Sequence, residues 1–232
     1  MKFSQVGVEW VGEGAGGAAG DIQMLAVAFH YLKSLKVPFS LKINSLGKSK
    51  EREEYKKALR AYFESNDSEL SEQSRERIKR GSVLRVLDSK DVGDRYGTQV
   101  NARKGVTDKA NRFLSKSAPS ILEFLQHDSL EHFNNLKNGL DELEIPYSVD
   151  TTLVRGLDYY NDVVFEFVYS PSHEKESSGQ SRLGRSQDTI LAGGRYDSLC
   201  SQLGGPDLYA VGYVLGSQYQ HLLTILIGGQ LA

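Results

Sequence analysis

The chain has 232 residues, of which 39% are hydrophobic and 25% charged, a composition typical of a globular protein with one or two domains. Its formal net charge is −2, so broad electrostatic attraction cannot by itself hold the chain to nucleic acid. The single cysteine, Cys200, has no companion for a disulfide or a CxxC metal site, which indicates a reducing compartment.

The first 47 residues predict a strand, a helix and a second strand. Apolar residues at alternating positions indicate a strand over residues 3–10, and five glycines within 12–20 indicate a turn or flexible loop. Asp21 is a typical N-cap for the helix that the apolar spacing of 22–32 predicts. Alternating apolar and polar residues over 39–44 then predict a half-buried strand.

Residues 48–143 are charged and mainly helical in pattern. The first helix, predicted over 48–64, carries its aromatic residues on one face, and 121–143 predict two more helices that are broken near Asp128. Between them, the polar, glycine-containing residues 92–117 predict a loop. We interpret the whole stretch as a mainly helical insertion domain.

Strand character returns after the insertion. The predicted strands cover residues 147–154, 163–168, 190–192 and 209–215. A serine-rich, charged stretch over 170–188 predicts a mobile hairpin tip, and 217–227 predict a final helix. The sum is an α+β fold in which 1–47 and 144–232 form an antiparallel sheet with helices on one face, interrupted by the helical insertion at 48–143.

Targeting and metal-binding features are weak in this sequence. The start lacks the basic and apolar regions of a signal peptide, and the apolar run at 222–227 is too short to span a bilayer. We therefore expect no membrane contact and a cytoplasmic location, with an organelle left open. The five histidines show no metal-ligand spacing, so no metal site is expected.

Four short segments in a fixed order carry a family signature. They are Phe-Ser-Gln-Val-Gly-Val-Glu at 3–9, Leu-Arg-Val-Leu-Asp-Ser-Lys at 84–90, Leu-Val-Arg-Gly-Leu-Asp-Tyr-Tyr at 153–160 and Ala-Gly-Gly-Arg-Tyr-Asp at 192–197. Over nearly its whole length the chain thereby resembles the catalytic core of the histidyl-tRNA synthetases, a class II family of aminoacyl-tRNA synthetases. Each segment alone is a weak signal, but the last two together are specific to histidine enzymes and their relatives.

The resemblance implies a fold and a two-step reaction. The fold is the class II synthetase-like antiparallel sheet with flanking helices. In the first step the histidine carboxylate attacks the α-phosphate of ATP, which binds with Mg²⁺, to give histidyl-adenylate and pyrophosphate. In the second step the histidyl group passes to the 3′ end of tRNA(His). ATP is then a substrate, and no tightly bound cofactor is expected.

The resemblance also implies two ligand contacts on the first strand. Glu9 would accept a hydrogen bond from the imidazole N–H of histidine, and Gln5 would contact its α-amino group. A carboxylate on an imidazole makes a charge-assisted bond that an isosteric side chain cannot reproduce. The two residues lie four apart, so the two-residue period of a strand puts both on one face. The local sequence alone favours an exposed strand residue at Glu9 and leaves that alternative open at Gln5.

Three further side chains match the family's site. Arg155 matches the catalytic arginine, whose guanidinium would lie between the carboxylate and the phosphate and neutralise the growing charge. Tyr160 matches a second imidazole contact, and Tyr196 matches a tyrosine of the pocket wall. The alternatives are a surface arginine at a strand end and core tyrosines with satisfied hydroxyl groups.

The glycines of the fourth segment have two possible roles. Gly193 and Gly194 would allow the backbone to come close to histidine, or they could mark a bend or bulge of the strand. Asp158 and Arg195 lie inside the matching segments, and we expect only supporting roles for them.

The chain departs from the family at several points. Motif 1, the first half of motif 2 and the anticodon-binding domain have no counterpart, which leaves the family's homodimer and its tRNA contact open for this chain. Tyr219 stands where the family has an arginine that binds ATP. Each lost arginine contact removes a charge-assisted bond of about 1.5–3 kcal/mol, so we expect weakened ATP binding and no efficient adenylation by this chain alone.

Two classes of function compete on these grounds. The first is the catalytic domain of a histidine–tRNA ligase, incomplete as it stands. The second is a catalytically inactive paralogue that binds histidine or a protein partner in a regulatory role. A third possibility is a non-functional gene fragment. Such a fragment would be poorly soluble, because it would leave an unpaired sheet edge.

Overall fold

The computed structural model describes residues 5–89, 118–154, 159–170 and 189–216. The predictions of a loop over 92–117, of most of the hairpin tip and of a final helix over 217–227 lie outside these ranges.

One six-stranded sheet forms the centre of the fold, in the order β1-β6-β5-β4-β2-β3. Its strands are β1 (Gln5–Val11), β2 (Phe39–Ser45), β3 (Ser148–Val149), β4 (Val163–Tyr169), β5 (Thr189–Arg195) and β6 (Ala210–Gly216). Neighbours pair antiparallel except for β2 and β3, which are parallel. The predicted α+β sheet is confirmed, with this short parallel pair at its edge as an addition.

Six helices accompany the sheet in the described part of the chain. They are α1 (Gly17–Ser34), α2 (Ser49–Ser65), α3 (Glu72–Lys79), α4 (Leu84–Leu87), α5 (His127–Glu142) and α6 (Leu199–Gln202). Short 3₁₀ turns lie at Glu13–Ala15, Asp67–Glu69 and Ile121–Glu123. Within these residues, no helix is both long and apolar enough to cross a bilayer.

The larger hydrophobic core lies where α1 and α5 pack against one face of the sheet. Leu25 and Leu32 of α1 meet Leu136 of α5 and the sheet residues Phe165 and Phe167, and all five side chains are fully buried. Burying each such side chain contributes about 1.5–3 kcal/mol. This core closes the face of the sheet on which α1 and α5 lie.

A second core lies under α2, in which Tyr55, Leu59 and Phe63 pack with Tyr160 and Val164. Residues at i, i+4 and i+8 of a helix share one face, which is why this charged helix still buries an apolar stripe. The stretch that we interpreted as one insertion therefore contributes to two cores, α2 to this one and α5 to the core on α1.

The predicted N-cap at Asp21 is wrong. Helix α1 begins at Gly17, its N-cap is Gly16, and Asp21 lies inside the helix. The carboxylate is fully buried and pairs with Arg195 and His132. From local sequence, an aspartate near a helix start could be an N-cap or a buried ion-pair partner. Here the ion pair with the distant Arg195 shows that Asp21 is the latter.

Candidate functional site

The face of the sheet opposite α1 carries the candidate site. Across β1, β6, β5 and β4 the register places Glu9, Gly212, Gly194 and Val164 side by side. Residues that are paired across antiparallel strands point to the same face. We call this surface the site face. Two of its four neighbouring positions are glycines, so other side chains can lie close against the backbone there.

The Glu9 carboxylate extends across β6 and accepts a hydrogen bond from the Tyr196 hydroxyl, which follows β5. A side chain on Gly212 would overlap this carboxylate and would come within 2.7 Å of the Val8 carbonyl oxygen. The missing side chain at Gly212 is therefore what allows Glu9 to lie flat on the sheet. The strand pairing thus brings two predicted site residues, 187 positions apart in the chain, into direct contact.

The Tyr196 hydroxyl is held in its neutral, donating form. Burial is the largest cause and the hydrogen bond to the Glu9 carboxylate the next, and both raise the pKa of Tyr196 above its ordinary value. A neutral phenol donates to the carboxylate and also offers oxygen lone pairs. A carboxylate has about four acceptor positions, so the bond from Tyr196 leaves capacity for a second donor at Glu9.

Three tyrosines form a wall beside this pair. The ring centroids of Tyr159 and Tyr160 are 4.7 Å apart, and Tyr196 lies 5.7 Å from Tyr159 and 6.3 Å from Tyr160. Tyr160 is 6% exposed. An added Cβ on Gly194 would come within 2.9 Å of the Tyr160 ring and 2.6 Å of the Val163 carbonyl oxygen. The missing side chain at Gly194 therefore allows the Tyr160 ring to pack directly against the sheet.

The two glycines of the fourth segment lie on opposite faces. Gly194 belongs to the site face, whereas a Cβ on Gly193 would come within 2.8 Å of the Tyr213 side chain. Tyr213 is part of the core under α1. Gly193 is therefore placed for packing against β6, away from the pair formed by Glu9 and Tyr196.

Gln5 lies on the site face but at a distance from the pair. It is exposed and pairs with Gly216, four residues along β1 from the pairing of Glu9 with Gly212. At the rise of a strand, the Cα atoms of Gln5 and Glu9 are about 13 Å apart. Gly7 lies between them. Arg155, predicted to handle the phosphate, falls outside the described residues, as does Tyr219.

The structure shows a buried charged network around Arg195, a residue for which the sequence predicted only a supporting role. Arg195 is 1% exposed and donates to Asp21, to Asp197, and to the carbonyl oxygens of Ala15 and Gly17. Its Nη2 lies 2.8 Å from Asp21 Oδ1. The network holds the loop that follows β1 against the end of β5. Glu9 lies on β1, and Tyr196 directly follows β5.

His132 completes this network from α5, with its Nε2 2.6 Å from Asp21 Oδ2. The sequence holds one signal that could have revealed the arrangement. Asp21 precedes Leu25, Phe29 and Leu32 at helical spacing, so it continues the apolar stripe of α1. A carboxylate on a buried stripe requires a cationic partner elsewhere in the fold.

A cavity of about 600 Å³ lies next to the site rather than in it. Its lining includes Lys48 and Arg52 from α2, together with Asn161 and Asp197, which directly follow Tyr160 and Tyr196 in the chain. Among the described residues, no group of three or more His, Cys, Asp or Glu side chains is arranged to hold a metal ion.

The fold defines a domain of the aminoacyl-tRNA synthetase type. The chain belongs to the histidyl-tRNA synthetase family, because the model of the family described as Histidyl-tRNA synthetase matches residues 1–218.

Curated relatives support this placement. The histidine–tRNA ligase of Latilactobacillus sakei is 40% identical over 223 residues, which cover 96% of this chain and 45% of the relative. That of Lactiplantibacillus plantarum is 38% identical over 226 residues, which cover 97% of this chain and 46% of the relative. The chain thus spans about half the length of these relatives, and their names do not favour the regulatory alternative.

Solved structures agree in fold. The apo histidyl-tRNA synthetase of S. aureus is 28% identical and superposes with a TM-score of 0.64, over 97% of this chain and 48% of that chain. A Bacillus halodurans protein described as an ATP phosphoribosyltransferase regulatory subunit/histidyl-tRNA synthetase is 20% identical, with a TM-score of 0.54, over 97% of this chain and 53% of that chain. The second comparison shows likeness of fold alone.

Proposed function

We propose that this chain is the histidine-binding part of a histidine–tRNA ligase. The observation that carries the proposal is the Glu9 carboxylate lying across Gly212, bonded to Tyr196 and bordered by Tyr160. An imidazole N–H would donate to Glu9, while the tyrosine rings would flank the heterocycle. A hydrogen bond to a charged group contributes about 1.5–3 kcal/mol, which is enough to separate histidine from an amino acid that lacks the N–H.

The reaction of the whole protein would be the ATP-dependent activation of histidine and its transfer to tRNA(His). In this proposal Arg155 lies between the histidine carboxylate and the α-phosphate, and Mg²⁺ accompanies ATP. Gln5 would contact the α-amino group. Tyr219 supplies no positive charge to a phosphate, so ATP would bind weakly to this chain and the activity would need further parts of the protein.

Histidine binding to the purified chain, followed by titration calorimetry, tests the proposal. Glu9→Gln should weaken binding by roughly tenfold or more, since the charge-assisted bond becomes a neutral one. The matched control is Glu54→Gln on the exposed face of α2, which should bind as the wild type does. Histidine binding that is equal in Glu9→Gln and wild type would refute the role of Glu9.

Histidine-dependent exchange of labelled pyrophosphate into ATP separates binding from activation. We expect histidine binding with little or no exchange. Vigorous exchange by this chain would show that the phosphates are held without an arginine at position 219, and the proposed weakness toward ATP would then be wrong.

A further inference from the structure

Gly7 stands out among the glycines of the site face, because packing requires a glycine there less strictly than at Gly194 and Gly212. Its φ is not in the left-handed range. A Cβ at this position would lie 3.2 Å from the Tyr213 carbonyl oxygen and 3.7 Å from both Glu9 Oε1 and a methyl group of Val214. The two contacts at 3.7 Å are ordinary, and the one at 3.2 Å is tight, so a small side chain would fit only if the Tyr213 carbonyl oxygen moved by a few tenths of an ångström.

Gly194 and Gly212 differ from Gly7 in this respect. At each of them a Cβ would come within 2.7 Å or less of a backbone oxygen, so packing alone accounts for the glycine. Gly7 lies on an edge strand and is exposed. Glycine inside a strand costs about 0.5–1 kcal/mol relative to alanine, and a β-branched residue would suit the strand better. The folded chain therefore gains only relief from the contact with the Tyr213 carbonyl oxygen, and packing accounts for this glycine less fully than for the other two.

The position of Gly7 suggests which part of a ligand its missing side chain leaves room for. Gly7 lies midway between Gln5 and Glu9 on the site face, and its missing Cβ would point toward Glu9 Oε1. With the imidazole at Glu9 and the α-amino group toward Gln5, the carbons that join the two ends of histidine must cross the backbone at residue 7. Any side chain larger than a methyl group would occupy that path.

We propose that Gly7 sets the depth of the ligand groove and is a specificity-determining residue for histidine. This inference rests on the proposed function, because it takes Glu9 and Gln5 as the two ends of the site. The groove is bounded by Glu9 and Val214 at the distances given above, and the exposed Gly7 backbone is its floor.

The test compares Gly7→Val and Gly7→Ala with the wild-type chain by calorimetric titration with L-histidine and by thermal unfolding. Gly7→Val should bind histidine roughly tenfold more weakly or worse, since its two methyl groups fill the groove, and Gly7→Ala should lose less. The unfolding temperature should change little in both variants, because the better strand propensity of valine and alanine offsets the small shift required of the Tyr213 carbonyl oxygen. Binding and stability are thus expected to move independently.

Val8→Ile is the matched control, because it enlarges the neighbouring residue on the opposite face of β1. It should leave histidine binding unchanged. Equal histidine affinity in Gly7→Val and wild type would overturn the role of Gly7 while leaving the proposed function intact. Absence of histidine binding in the wild-type chain would refute the proposed function and the role of Gly7 with it. Loss of binding together with a clear drop in unfolding temperature for Gly7→Val and Gly7→Ala would also overturn the inference.

Discussion

Replacing Arg195 by methionine should cost this fold a large part of its stability. The guanidinium is 1% exposed and pairs with Asp21, which is fully buried, and with Asp197. Methionine has a similar length but provides no donor. In Arg195→Met, Asp21 would keep His132 as its partner, and the carbonyl oxygens that now accept from the guanidinium would lose that bond.

The magnitude follows from the desolvation of these groups. Removing one partner of a buried ion pair costs about 3–5 kcal/mol, because the other charge stays buried, here with only His132 left to compensate it. Native domains are stable by only about 5–15 kcal/mol. Arg195→Met should therefore lower the urea midpoint of unfolding at neutral pH by about 1–2 M. Arg195→Lys should also be destabilised, because an ammonium group cannot reproduce the planar fork of donors.

Two further variants make the Arg195 experiment decisive. Arg80→Met is the matched control, since the Arg80 side chain is 79% exposed, and its change should stay within about 0.5 kcal/mol. Adding Asp21→Asn to Arg195→Met should recover part of the loss, because it removes the buried carboxylate that has lost its arginine partner. A loss below about 1 kcal/mol in Arg195→Met would refute the reasoning, since the network would then contribute no more than a surface ion pair.

Two other predictions concern Asp162 and Gly212. Asp162 is 6% exposed, and burial raises its pKa although His132 and Lys48 oppose the shift. Its folded-state pKa thus lies above the unfolded value of about 3.9, so its contribution to stability is full below that pH and is lost as the pH rises through the folded pKa. Asp162→Asn, which also tolerates the observed φ of 54°, should be more stable than wild type by about 1 kcal/mol at pH 7 and equal to it near pH 3; an equal gain at both pH values would contradict this account. Gly212→Ala should destabilise the chain by about 1–3 kcal/mol and weaken histidine binding, because the new methyl group overlaps the Glu9 carboxylate; unchanged urea unfolding would show that the strands adjust freely.

Local patterns in the sequence were sufficient to predict most elements of this fold. The alternation in β2 and the helical spacing in α1 and α2 each depend on residues close together in the chain, so the period of the apolar residues reveals them. The same period separates Gly193 from Gly194, because neighbouring residues of a strand point to opposite faces. Family motifs identified Glu9 and Tyr196, and the structure places these two residues in contact.

The tertiary structure alone decided the relations between distant segments. The sequence by itself determined that Asp21 belongs near a helix, but only the approach of Arg195, 174 positions later, shows its carboxylate as a buried ion-pair partner rather than a cap. The row of Glu9, Gly212 and Gly194 likewise exists only because β1 pairs with β6 and β6 with β5. Strand order and charge pairing result from burial and desolvation over the whole chain, and no short window of sequence contains both partners.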